Sequence, residues 1–152
     1  MKKTIKWLPA LLALFLLVAM TSCKDDDKDS PITYDQLPAT SKEFINTYFP
    51  DEEVVSVVLD KDNNTKVYEV ILRNGFDLTF DNAGDWVSVD GPMGATVPNG
   101  IVPQPILSYV STNYPYDGIN EIEKTKAGYE VELTNGYELT FNQNGEFINL
   151  DK

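Results

Sequence analysis

Tyr68-Glu69-Val70-Ile71-Leu72-Arg73-Asn74-Gly75-Phe76-Asp77-Leu78-Thr79-Phe80 returns further along the chain as Tyr129-Glu130-Val131-Glu132-Leu133-Thr134-Asn135-Gly136-Tyr137-Glu138-Leu139-Thr140-Phe141. A shorter echo follows each copy, Gly84-Asp85-Trp86-Val87 against Gly145-Glu146-Phe147-Ile148. A chain that repeats itself builds similar units that pack on one another. Within each copy apolar and polar residues alternate, which is the period of a half-buried strand. Tyr68, Val70, Leu72, Phe76, Leu78 and Phe80 share one side, and Tyr129, Val131, Leu133, Tyr137, Leu139 and Phe141 match them. Asn74-Gly75 predicts a tight two-residue hairpin turn with both residues at positive φ.

Working outward, each copy is preceded by one more apolar strand pattern and, before that, by a helical one. Leu37, Ser41, Phe44, Ile45 and Tyr48 keep the three-to-four spacing of an amphipathic helix that starts at Pro38 and stops before Pro50. Val102-Pro103, Ile106, Tyr109, Val110 and Tyr114-Pro115 repeat the pattern. Strands are expected at 54–60, 67–73, 76–80 and 85–89, and again at 119–124, 128–134, 137–141 and 146–150. The fold class is therefore α+β: two tandem repeats, each a helix followed by a four-stranded antiparallel meander, at 37–90 and 101–152. Residues 91–100, rich in Gly and Pro, read as the linker.

Alternation assigns Val87, Val89, Ile148 and Leu150 to the core beneath the helices. The opposite face carries Glu69, Ile71, Arg73, Asp77, Thr79, Glu130, Glu132, Thr134, Glu138 and Thr140. Trp86 and Phe147 fall with this polar set on strict alternation. A one-residue bulge would instead turn both rings into the core.

The first 22 of the 152 residues read as an export signal. A basic start, Met1 to Lys6, leads into an apolar run from Trp7 to Met20 that is short for a membrane span. Met20-Thr21-Ser22-Cys23 resembles the lipobox of bacterial lipoproteins, with Met20 where Leu is commonest. That resemblance implies cleavage before Cys23, the only cysteine, and acylation at that residue. Several acyl chains on one residue anchor a protein stably, where one alone holds it marginally. Lys24-Asp25-Asp26-Asp27-Lys28-Asp29 opens an acidic tether over 23–36. A lysine and acids behind the lipid cysteine resemble a surface-export signal. This implies an outer membrane anchor with display on the cell surface, the periplasmic face being the alternative.

A helix, four strands, a Tyr-Glu-Val-x-Leu-x-Asn-Gly hairpin and a Gly-Asp-Trp or Gly-Glu-Phe strand, in tandem on a lipoprotein, resemble the β-lactamase-inhibitor-like family, also called PepSY-like. The resemblance covers roughly residues 37–151. It implies one continuous curved antiparallel sheet with helices on its convex side; the inhibitor fold that gives the family its name binds its target enzyme on the concave side. It does not carry inhibition of a β-lactamase over to this chain.

Composition narrows the chemistry. Losing residues 1–22 removes Lys2, Lys3 and Lys6 and no acid, so the formal charge moves from −12 to about −15. Nucleic acid and anionic lipid headgroups are disfavoured as ligands, and basic partners or divalent cations are favoured. There is no histidine, and no nucleophile elbow, phosphate loop or dinucleotide fingerprint. Glu130 and Glu132 share a strand face about 7 Å apart, but on an open surface little separates their pKa values. Asp60-Lys61-Asp62-Asn63-Asn64 has the oxygen spacing of a calcium loop, yet Thr65 stands where glycine is needed and Ile71 where the bidentate glutamate is needed. It reads as a hairpin turn. No catalytic residue, metal ligand or cofactor is assigned.

The expected function is a non-catalytic, membrane-tethered module that binds a protein or peptide, basic in character, through the outer sheet face. Trp86 and Phe147 would be aromatic anchors, and Glu69, Asp77, Glu130 and Glu138 would steer the partner. The alternative is capture of a glycan or small ligand by the same rings.

Overall fold

The structure is a computed structural model that describes residues 29–62 and 65–151. Residues 1–22, the lipobox and Cys23 lie outside the described residues. After strand β1 (Asp29–Pro31) and a short 3-10 turn (Tyr34–Gln36) come helix α1 (Ala39–Tyr48) and strands β2 (Val54–Asp62), β3 (Thr65–Leu72), β4 (Asp77–Phe80) and β5 (Trp86–Asp90). Helix α2 (Gln104–Asn113) is followed by β6 (Ile119–Lys124), β7 (Gly128–Leu133), β8 (Glu138–Asn142) and β9 (Phe147–Asp151). The nine strands form one antiparallel sheet in chain order. The fold is α+β with a dominant sheet.

Part of the segment expected as tether is structured. Asp29, Ser30 and Pro31 pair with Asp60, Leu59 and Val58 of β2, and Ile32 and Tyr34 pack against the core. The two apolar side chains account for this, because they give an otherwise polar segment something to bury.

Both helices lie on the same face of the sheet. Pairing carries one face across the strands through Val70, Leu78, Val89, Ile122, Val131, Leu139 and Leu150. Phe80 and Phe141 belong to that face. The Phe44 ring of α1 meets Phe80 edge-on at 5.5 Å, and the Tyr109 ring of α2 meets Phe141 at 5.4 Å. Ile45, Ile106 and Val110 complete one core with the sheet residues. Each helix ends as its proline requires. Phe49 and Tyr114 leave the α region at φ −136° and −131°, each still donating its N–H to the carbonyl four residues back.

The Asn-Gly turns differ from expectation. Leu72 N–H bonds to Phe76 O and Gly75 N–H to Leu72 O, which encloses three loop residues instead of two. Gly75 sits at φ 93° and the Asn74 side chain accepts the Phe76 N–H. This is the turn-plus-glycine-bulge form of hairpin, in which glycine alone must supply the left-handed conformation. The 133–137 turn repeats it, with Gly136 at φ 82°.

The halves are joined through the sheet. Ser88, Val89 and Asp90 of β5 pair with Glu123, Ile122 and Glu121 of β6. The connection over 91–100 is pinned rather than loose. Asn120 Nδ2 donates to the carbonyls of Gly91, Pro92 and Ala95, and Gly91 and Val97 return bonds to Asn120 O and Ile119 O.

Candidate functional site

The face without helices is an array of carboxylates. Directly paired residues on it run Asp77, Asp90, Glu121, Glu132, Glu138 and Asp151, one per strand from β4 to β9. The adjacent row runs Glu69, Thr79, Ser88, Glu123, Glu130, Thr140 and Asn149 from β3 to β9. No lysine or arginine stands in either row. Like charges directly opposed across strands repel, so the array costs stability and holds local negative potential. A shallow depression lies over the second half, bounded by Glu121, Glu123, Glu130, Glu132, Glu138 and Asp151.

Partial burial and crowding raise three carboxyl pKa values. Burial lifts Asp77, with Asp90 adding to it. Burial also lifts Glu121, and Asp90, Glu132, Glu123 and Glu138 push the same way. Glu69 rises through burial and the charges of Asp77, Asp60 and Asp29. The Oδ1 atom of Asp77 is buried with no hydrogen-bond partner among the described residues. Also among the described residues, no group of three or more acidic, histidine or cysteine side chains has metal-holding geometry.

Glu69, Asp77, Glu130 and Glu138 all lie on this face, as alternation placed them. Trp86 and Phe147 do not. Between Thr79–Ser88 and Phe80–Trp86 the register slips by one residue, and Val87 is the extra one. The same slip in β9 pairs Phe141 with Phe147 and leaves Ile148 over. Both rings therefore turn to the helix-bearing face. Trp86 lies 6.3 Å from the Phe44 ring, with the Lys124 ammonium 3.8 Å above its centroid. Phe147 stacks on Tyr109 at 4.6 Å and remains 38% exposed. Burial lowers the Lys124 pKa against the pull of Asp85 and Asp81. The slip also corrects the expected core: Val89 is buried, Leu150 packs at its margin, Val87 is half-buried and Ile148 is 55% exposed.

The turns before these bulges match as well. Asp81 Oδ1 accepts the N–H groups of Ala83 and Asp85, and Asn142 Oδ1 those of Asn144 and Glu146. Gly84 at φ 91° passes against α1, whose buried Ser41 hydroxyl donates to Gly84 O at 3.0 Å. Asp90, Glu121, Glu123 and Asp151 were not singled out from the sequence. In β6 a further slip, between Ile119 and Glu121, breaks the alternation that would have revealed the two glutamates.

A single antiparallel sheet with helices on one face and an acidic, uncovered face on the other defines an α+β sheet-platform protein. The chain belongs to the family described as "Putative beta-lactamase-inhibitor-like, PepSY-like", whose model matches residues 21–67 and 66–149 in tandem. It is similar to a Bacteroides vulgatus protein described as a putative periplasmic protein of the DUF2874 family, with 41% identity, TM-score 0.78, and 83% of this chain and 98% of that one covered. A Bacteroides thetaiotaomicron protein described as a putative calcium-regulated periplasmic protein is 38% identical, with TM-score 0.79 and coverage of 84% and 99%. A further B. vulgatus periplasmic protein, described as of unknown function, is 32% identical, with TM-score 0.78 and coverage of 82% and 99%. No curated protein matches the chain.

Proposed function

We propose that this chain is a non-catalytic cell-envelope module that binds a basic protein or peptide through its open sheet face. The observation that carries the reading is the row of six directly opposed carboxylates from Asp77 to Asp151 on the face the helices leave free. A polycation would relieve the repulsion among them and find several acceptors at once. Glu69, Asp77, Glu130 and Glu138 remain in the proposed site, joined by Asp90, Glu121, Glu132 and Asp151. Trp86 and Phe147 leave it, because they sit on the other face.

The test is titration of the full chain with a fluorescent oligolysine peptide at rising salt. Binding should weaken steeply with ionic strength, and Glu121→Gln with Glu132→Gln should weaken it further. Equal binding by the double variant ends the proposal. Because one relative is described as calcium-regulated, the same titration is run with millimolar calcium. Loss of peptide binding at matched ionic strength would show the face occupied by the ion.

Attachment through acyl groups on Cys23, after removal of residues 1–22, completes the proposed setting at the outer membrane. The periplasmic descriptions of the relatives support an envelope location. Mass analysis of the mature N-terminus checks the lipid, and protease treatment of intact cells separates surface from periplasm. Glycan capture is the second reading. The stacked, partly exposed Phe147–Tyr109 pair favours it. A glycan array whose hits vanish in Phe147→Ala would promote it.

A further inference from the structure

Among the described residues the sheet has two free edges, and they are unlike. β1 is three residues long and includes Pro31, features that discourage a further strand from pairing. β9 is Phe147-Ile148-Asn149-Leu150-Asp151, with no Pro, Lys or Arg within the strand, and Lys152 follows it in the sequence. Two of its side chains, Phe147 and Ile148, are exposed large apolar groups. An edge strand also leaves one side of its backbone N–H and C=O groups unpaired within the sheet.

The acidic row ends on this strand, at Asp151 opposite Glu138. Every step of the row up to that point sets like charge against like. A cation in the next position would form the row's first attractive cross-strand pair. On the helix-bearing face the same strand offers Leu150 and the stacked Phe147.

The geometry points to β9 as the site where an extended peptide of alternating basic and apolar residues adds a tenth strand. Its basic side chains would stand beside Asn149 and Asp151, and its apolar ones beside Phe147 and Leu150. Main-chain bonds along the edge supply affinity and the two faces supply selectivity. This inference rests on the proposed basic partner and gives its mode of binding. A second copy of the chain fits less well. Antiparallel self-pairing about Asn149 would set Asp151 against Phe147 and bring two acidic faces together.

The probe is the blocked, fluorescent hexapeptide Lys-Val-Lys-Val-Lys-Val, titrated against the full chain. Its control carries N-methyl groups on alternate amides, which keeps charge and side chains but removes one edge of donors. The control should bind at least about tenfold more weakly, the loss of one or two main-chain hydrogen bonds. Bound peptide should also slow exchange of the backbone amides of residues 147–151. Equal binding of the two peptides, or protection that spares β9, overturns the edge site while leaving the acidic-face reading intact. Failure of both hexapeptides to bind also overturns it, and the oligolysine titration judges the face separately. A concentration-dependent dimer with β9 protected in the absence of peptide would name a second copy as the occupant and overturn the proposal.

Discussion

Three glycines differ in what surrounds them, and that difference fixes what alanine would do at each. A Cβ on Gly84 would lie 2.5 Å from Pro38 Cβ and 2.9 Å from the Ser41 hydroxyl, at φ 91°. On Gly145, at φ 77°, it would lie 3.0 Å from Pro105 Cβ. On Gly136, at φ 82°, it would meet nothing within 4 Å. Strain alone predicts about 1–2 kcal/mol for Gly136→Ala, and overpacking raises Gly84→Ala to about 2–4 kcal/mol. Gly145→Ala should fall between them, and urea denaturation of the three variants checks the order. Carboxylates of the open face set the pH dependence. Asp77, Glu121 and Glu69 have pKa values raised above 3.8 for Asp and 4.5 for Glu. Their contribution to stability is complete below those values and is lost as pH rises through the raised ones. Exposed Glu53, lowered by its hydrogen bond and charge pairing with Arg73, works the other way, losing its contribution as pH falls below 4.5. An exposed pair contributes little, so stability should fall as the pH rises from about 4 toward neutrality. Glu121→Gln should raise stability at neutral pH by about 0.5–1 kcal/mol and flatten the pH profile.

Elements here are fixed by small contacts at their ends. Helix α1 is keyed to the β4–β5 turn by Ser41 and Gly84, and α2 approaches the β8–β9 turn where Gly145 meets Pro105 and Ile106. That approach gives a physical reason for the repeated Gly-acid-aromatic motif. Glycine lets the turn pass under the helix, and the bulge after it swings the aromatic ring onto the same helix. The connection between halves depends on Asn120, whose amide serves three carbonyls. Asn120→Ala would leave those acceptors short of a donor and should cost about 2 kcal/mol, read as a lowered denaturation midpoint.

At the scale of the whole molecule, the β5–β6 pairing makes the two repeats one sheet and one core. A shared core predicts a single unfolding transition. Phe80→Ala in the first half and Phe141→Ala in the second each remove a fully buried ring. Each should lower that one transition by about 3–5 kcal/mol. Calorimetry showing two separate transitions in either variant would mean that the halves fold independently. The sheet also sorts its side chains by face. One face is committed to the helices and the other is left to solvent and charge.

Much of this was legible in the residues alone. The duplication, the two helices bounded by prolines, the strand periods and the turn glycines are local properties, decided by neighbours a few positions away. Glu69, Asp77, Glu130 and Glu138 could be placed on one face because their strands alternate without interruption. Trp86 and Phe147 could not be placed, because a bulge reverses every assignment beyond it and its presence depends on the partner strand. The alignment of Asp90 and Glu121 into the acidic row, and the joining of the halves through β5 and β6, likewise depend on register between distant segments. Only the tertiary structure decides register, since it is set by which side chains fill a common core.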